Sequence, residues 1–177
     1  MKSYIGIDNG VTGSIAIINP NKGLEIGHPA ICLIGMRKTP VVLQQNYTKT
    51  KKNINRLNIK EMKQILDDWI LAGDEVNSLA IIERPMVNPG RFQATLSAMR
   101  CMEATLCALE SRSIPYMFVD SKQWQKCLLP AGCEKEELKH ASHDIGIRLF
   151  PSLKEIIDKH GDADSILIAE WARREQV

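Results

Sequence analysis

Four acidic side chains stand where carboxylates are unusual. Asp8 closes the apolar run Ser3–Asp8 (SYIGID), Glu83 follows Leu-Ala-Ile-Ile, and Asp162 and Asp164 open the apolar segment Ser-Ile-Leu-Ile-Ala. Burying a lone carboxylate is costly unless something positive compensates it. Acids converging from three separate segments repel one another, and a shared divalent cation is the simplest compensation. Mg²⁺ suits this role because it takes a few carboxylates and keeps several waters. Taken singly, each acid has an ordinary explanation. Asp8 before Asn9-Gly10 reads as a turn former, Glu83 before Arg84-Pro85 as a strand terminus, and Asp162 and Asp164 as helix caps facing the dipole. One metal site accounts for all of them together.

The elements that must position these acids follow from hydrophobic period. Residues 3–8, 13–19 and 24–33 read as three strands joined by tight turns, an antiparallel meander. Residues 35–58 show no period and read as a long loop. From Ile59 the spacing of Met62, Ile65, Leu66, Trp69 and Ile70 is that of an amphipathic helix, ended by Gly73. A strand over 79–82, a helix over 91–111, a strand over 116–119 and helices over 134–149 and about 162–174 complete the chain. In the 91–111 helix Phe92, Leu96, Met99, Met102, Leu106 and Leu109 mark the apolar side. The order predicts an α/β fold: a mixed five-stranded sheet, three antiparallel strands then parallel ones, with helices on both faces.

The chain has 177 residues, 44% hydrophobic and 25% charged, which predicts one globular domain spanning 1–177 and excludes a disordered or collagen-like chain. No apolar run reaches eighteen residues, and MKSYIGIDNG lacks a signal peptide's apolar stretch, so no membrane partner and a cytoplasmic location are expected. Five cysteines, an odd number without a CxxC pair, fit free thiols. Cys133, His140 and His143 match no common zinc spacing. Charge is divided unevenly: residues 1–63 carry +7 and residues 64–177 carry −5. The basic stretch Lys49, Lys51, Lys52, Arg56, Lys60 and Lys63 reads either as a solvated loop or as a phosphate-contacting arm.

Taken in order, IGIDNGVTGSIAII, AIIERP, RFQATLSAMRCMEATLCALE, IPYMFVDSKQWQK and LFP…KHGDADSILIAEWARRE resemble the RuvC family of Holliday junction resolvases. That family belongs to the RNase H-like nucleases, and the resemblance is greatest to its phage and phage-like branch. It spans residues 3 to about 174, and 38–59 is the least matched part. Actin-like ATPases and sugar kinases share an IGID-x-G start, but they need a second domain and a second phosphate loop.

The resemblance implies that Asp8, Glu83 and Asp164 are metal-binding acids. The family often places Asp or His three residues before the last acid; here that position is Gly161, with Asp162 two before and His160 four before. Asp162 is favoured because carboxylate suits Mg²⁺ better than imidazole, and His160 is its competitor. Met86 stands where cellular members carry an aromatic residue that probes the junction centre. Gln125 holds one family lysine position with Lys126 beside it, and Lys135 matches another.

The implied activity is a Mg²⁺-dependent crossover junction endonuclease serving DNA recombination and repair or phage DNA debranching. It would use two metal ions per site, with Mn²⁺ able to substitute, and leave 5′-phosphates. Lys49, Lys51, Lys52, Lys122, Lys126 and Lys135 would hold DNA backbone. A two-fold symmetric four-way junction asks for a homodimer. The 91–111 helix is its candidate interface, through the small residues Ala94, Ser97, Ala98, Ala104 and Ala108. Two alternatives share the motifs: an RNase H-like nuclease for flaps, other branched DNA or RNA–DNA hybrids, and a non-catalytic junction-binding protein.

Overall fold

A computed structural model describes residues 2–20, 33–46, 49–133 and 137–177. Strands β1 (Ser3–Asp8) and β2 (Ser14–Asn19) pair antiparallel around the Asn9–Gly13 turn, and β3 (Leu33–Lys38) pairs antiparallel with β2. The third strand thus lies later than the 24–33 expected from the sequence; residues 24–32 fall outside the described ones. A hairpin of β4 (Val41–Gln45) and β5 (Asn53–Leu57) follows where a loop was expected. Its register is Val41 opposite Leu57 through Gln45 opposite Asn53.

Helix α1 (Ile59–Trp69) begins at Asn58, whose side-chain oxygen accepts from the Glu61 amide at 3.3 Å. Then come β6 (Ser78–Glu83), α2 (Phe92–Glu110), β7 (Tyr116–Val119), α3 (Ser121–Leu128), α4 (Leu138–Leu149), α5 (Lys154–His160) and α6 (Asp164–Glu175). The main sheet has the order β3-β2-β1-β6-β7, with β6 parallel to both β1 and β7. This is the mixed five-stranded sheet the sequence predicts. Helices α3 and α5 are short, and neither was anticipated.

Alternation along the strands divides the core in two. Ile5, Ile7, Ile15, Ile17, Ala80 and Ile82 face α1 and α2, whereas Tyr4, Ala16, Ile18, Leu79 and Ile81 face α6 and its neighbours. Helix α2 turns small residues inward: Cys101, Thr105 and Ala108 are buried with Leu109, while Phe92 is 65% exposed and Met99 and Met102 are half-buried. The sequence had assigned the core to the large residues and an outward flank to the small ones. In the structure the two sets mix: Ala108 and Leu109 are both fully buried, Ala104 and Leu106 pack partly against the core, and Ala94 is exposed.

Candidate metal centre

The same alternation selects the face for each acid. Asp8 continues the Tyr4, Gly6 series and Glu83 the Leu79, Ile81 series, so both fall on the α6 side. Asp8 and Glu83 lie one step beyond the last parallel pair, Ile7 with Ile82, and so end adjacent strands. Gly6 makes the approach of α6 possible. A Cβ there would stand 1.9 Å from the Ser165 carbonyl oxygen and 2.6 Å from the Ala169 amide nitrogen. The Ser14 hydroxyl donates to Ser165 Oγ at 2.7 Å within this buried seam. The first turn of α6, which opens with Asp164, is thereby fastened over the ends of β1 and β2.

Two further contacts shape the ground around Asp8. A Cβ at Gly13 would lie 2.1 Å from the Asp8 carbonyl oxygen and 2.9 Å from its Oδ2, so the turn can fold onto the strand end only with glycine there. The Asn9 side-chain amide donates to the Ala98 carbonyl at 3.2 Å, tying the same turn to α2.

From the other side, α5 ends at Gly161, whose φ of 100° is a left-handed conformation that glycine adopts freely. The chain reverses there and places His160 and Asp162 against Asp8: one donor atom from each of the three lies within 4.8 Å of the others. His160 Nε2 is 3.4 Å from Asp162 Oδ1, and both side chains are almost fully buried. Neither ring nitrogen nor Asp162 Oδ1 has a hydrogen-bond partner. Helix α4 supplies two more groups. The Ser142 hydroxyl donates to Asp164 Oδ1 and accepts from the Ala163 amide at 3.2 Å, and Lys139 Nζ sits 3.6 Å from Asp162 Oδ2.

The electrostatics are those of crowded acids. Burial, reinforced by Asp164, Glu83 and Asp162, pushes Asp8 up to about 8. Burial and Asp164 raise Glu83 to about 7, against the pull of Ser121 and Trp124. Burial raises Asp164 to about 6, with the Ser142 hydrogen bond opposing it. Asp162 differs: burial would raise it, but His160 and Lys139 outweigh that and hold it below the ordinary carboxylate value. Raised acids beside buried polar atoms that make no hydrogen bond form a cluster whose mutual repulsion a bound cation would relieve. The donor set, four carboxylates and an imidazole, fits a divalent cation.

The structure therefore brings Asp8, Glu83, Asp162, Asp164 and His160 to one end of the sheet, Asp162 and His160 alike. It does not bring the expected DNA-contacting residues into that cluster. Lys49, Lys51 and Lys52 lie between β4 and β5, Met86 is 74% exposed in the segment after β6, and Lys122 and Lys126 line a groove along α3. Lys135 lies outside the described residues. Ser142 and Lys139 went unremarked in the sequence. Their spacing of three puts them on one helix face, but nothing local says which strand ends that face meets. His143 has no metal partner set: its ring contacts Asp144 and Asp158 at 3.0 and 2.9 Å. The four described cysteines are free thiols, and among described residues no helix is long and apolar enough to cross a membrane.

No protein-family model and no curated protein matches the chain. Among solved structures it resembles Thermus thermophilus RuvC in complex with a Holliday junction substrate, at a TM-score of 0.51 and 15% identity, over 99% of this chain and 96% of that one. A second Thermus thermophilus RuvC structure aligns at a TM-score of 0.46 and 17% identity, over 98% and 96%. The chain has the RuvC-type, RNase H-like fold.

Proposed function

We propose that this chain is a structure-selective DNA endonuclease that resolves four-way junctions, using Mg²⁺ or Mn²⁺ at the acidic cluster. The observation that carries the reading is the convergence of Asp8, Glu83, Asp162, Asp164 and His160 from β1, β6 and the α5–α6 segment, with unpartnered buried donors among them. A RuvC bound to a Holliday junction shares the fold, which supports the substrate class. Placement in the phage-like branch rests on the sequence motifs.

In this reading Asp8, whose charge is coupled to those of Asp164, Glu83 and Asp162, would be a central metal ligand. Glu83 and Asp164, with Asp162 or His160, would complete the donor set that holds the metal. Bound there, divalent cations would supply the Lewis acidity for in-line attack of water on phosphorus and for departure of the 3′ oxygen. The chain's own part is positional. Ser142 fixes the Asp164 carboxylate, Gly6 and Ser14 seat α6, and Lys139 adds positive charge at the rim. Lys122 and Lys126 flank a groove of about 420 Å³ with Gln125 and Leu129, suited to a DNA backbone passing α3. Met86, three residues past Glu83 and exposed, would enter the junction as an apolar wedge.

Two cuts placed symmetrically need two copies. The outward face of α2 is the natural contact. Met99 and Met102 join Val87, Pro85 and Phe118 around an apolar cavity of about 240 Å³, and Phe92 and Val87 are both about two-thirds exposed. Of the small residues expected there, Ala108 is buried in the core, Ser97, Ala98 and Ala104 are half-buried, and Ala94 is exposed.

The test is cleavage of a synthetic four-way junction in Mg²⁺ by wild type and Asp8→Asn, beside flaps and RNA–DNA hybrids. Wild type should cut the junction preferentially and leave ligatable 5′-phosphate ends. Asp8→Asn should bind it and leave it intact. Full activity of the variant, or a preference for hybrids, would replace this reading.

A further inference from the structure

The β4–β5 hairpin is an element without an assigned role, and its surface is unusual. Residues 33–60 hold seven Lys/Arg and no Asp/Glu. The strands themselves are nearly neutral: their one charged residue, Arg56, is half-buried, and its Nη1 donates to Gln44 Oε1 at 2.5 Å. Along β5 Asn53 and Asn55 are exposed and Ile54 and Arg56 half-buried; Ile54 and Arg56 line a cavity against α2 with Gln93, Ser97 and Arg100, and Asn55 borders it. Cross-strand from the exposed pair are Gln45 and Leu43, also exposed, the latter at 68%. One face of the ribbon therefore presents three amides and an apolar side chain. Lys49, Lys51 and Lys52 crowd the connection at its end.

The hairpin is rooted at the metal centre's edge of the sheet. Asp8 pairs with Ser14, and Ser14 with Lys38, so the end of β3 lies two strand spacings from Asp8, about 10 Å. The Thr39 amide bonds the Gly13 carbonyl and the Asn58 amide the Pro40 carbonyl, both at 2.9 Å, pinning both strands of the hairpin at that point. Its five-residue strands extend about 17 Å, and a two-stranded ribbon fits the major groove, about 12 Å wide.

We propose that the β4–β5 hairpin is a DNA-reading ribbon. It lies in the major groove of a duplex arm, with Asn53, Asn55 and Gln45 bonding base edges and Leu43 against thymine methyls, while Lys49, Lys51 and Lys52 hold phosphates. Asn and Gln amides match the donor and acceptor pair of adenine, and an apolar side chain matches the thymine methyl. The absence of acids from the whole segment suits a polyanion, and an uncharged reading face avoids binding every sequence equally tightly. This rests on the nuclease reading above and extends it to sequence choice along the arms.

The experiment measures binding to a panel of four-way junctions with permuted arm sequences, in EDTA and across salt concentrations. Wild type should show a spread of affinities of about 5- to 100-fold favouring A·T-containing arm sites. Gln45→Ala/Asn53→Ala/Asn55→Ala should collapse that spread while keeping the mean affinity within about threefold. Lys49→Ala/Lys51→Ala/Lys52→Ala should weaken binding to every member and reduce the salt slope by roughly 2–3. Asn55→Asp, a near-isosteric change at an exposed position, should shift preference from adenine toward cytosine, whose amino group a carboxylate accepts. An unchanged affinity profile in the amide variant and in Asn55→Asp, or an unchanged salt slope in the lysine variant, overturns the ribbon. Wild type that binds and cuts junctions with such unchanged profiles sinks this inference alone; wild type that binds no branched DNA sinks the nuclease reading beneath it.

Discussion

Gly6 and Ser165 touch through their backbones, with room for no atom between them: a Cβ on the glycine would stand 1.9 Å from the serine carbonyl oxygen. Because Asp8 is two residues along β1 and Asp164 is the neighbour of Ser165, this contact sets the separation of two acids 156 positions apart in sequence. Gly6→Ala should therefore act on stability and on the site together. Neither partner can yield cheaply, since both are backbone in regular elements. A loss of about 1–3 kcal/mol is expected from overpacking, read as a lower urea midpoint. Mn²⁺ affinity should fall in the same variant by calorimetry. A variant with wild-type stability and metal binding would show that α6 is not seated by this contact.

Ser142 holds the acid that α6 delivers. Its hydroxyl bonds Asp164 Oδ1 and the Ala163 amide, and the residue is buried. Ser142→Ala removes both bonds without adding volume. It leaves a buried amide unpaired, at a cost of about 1–3 kcal/mol, and frees the carboxylate to rotate. Partners that orient metal ligands are typically worth about 10- to 100-fold in affinity. Titration calorimetry with Mn²⁺ should show a loss in that range, and Ser142→Thr should recover part of it. No change in affinity for Ser142→Ala would remove this serine from the site.

What the sequence disclosed about the site was what strand alternation and order carry. Asp8, Glu83 and Asp164 each end or begin an apolar run, so their types and places are visible in one dimension. Ser142 and Lys139 are not, because their part depends on which strand ends α4 crosses. Helix α3 carries a readable signal that was passed over: Asp120 is followed three residues on by Gln123, and the Asp120 amide donates to Gln123 Oε1 at 2.9 Å. The hairpin could not be read from period, since β4 is exposed along its length and presents no buried side to alternate with. On α2 the rule that large apolar residues face the core held for Leu109 and in part for Leu106, and failed for Phe92, which is exposed.

The raised carboxylates make a pH prediction with a definite sign. Burial, with mutual repulsion, lifts Asp8 to about 8, Glu83 to about 7 and Asp164 to about 6. The unfolded chain gives these protons up near pH 4, so between there and pH 8 the metal-free folded state binds more protons than the unfolded one. Stability then falls as pH rises through this window. Tm in EDTA should drop from pH 5 to pH 8, and Mg²⁺ should restore it most at the alkaline end. His143, raised by its bond to Asp144 and held by Asp158, adds a loss of the same sign. The contribution of the cluster is therefore the difference between wild type and Asp8→Asn, whose decline should be shallower. Parallel curves for the two proteins would show that Asp8 does not carry a raised pKa.

Asp162 and His160 can be ranked as ligands by their chemistry. Asp162 is held below the ordinary carboxylate value, against its own burial, by His160 and Lys139, and its Oδ1 accepts no hydrogen bond, so an oxygen donor stands ready. His160 also offers two ring nitrogens that make no hydrogen bond, Nε2 facing that oxygen at 3.4 Å. Hard Mg²⁺ prefers the carboxylate, whereas Mn²⁺ accepts imidazole more readily. Asp162→Asn should therefore weaken Mg²⁺ binding at least about tenfold, more than His160→Ala does, and the gap should narrow in Mn²⁺. Calorimetric titration of both metals into both variants separates the cases. If His160→Ala proves the more damaging in Mg²⁺, the imidazole is the ligand. Asp162, with Lys139, would then be the counter-charge that keeps the imidazole in place.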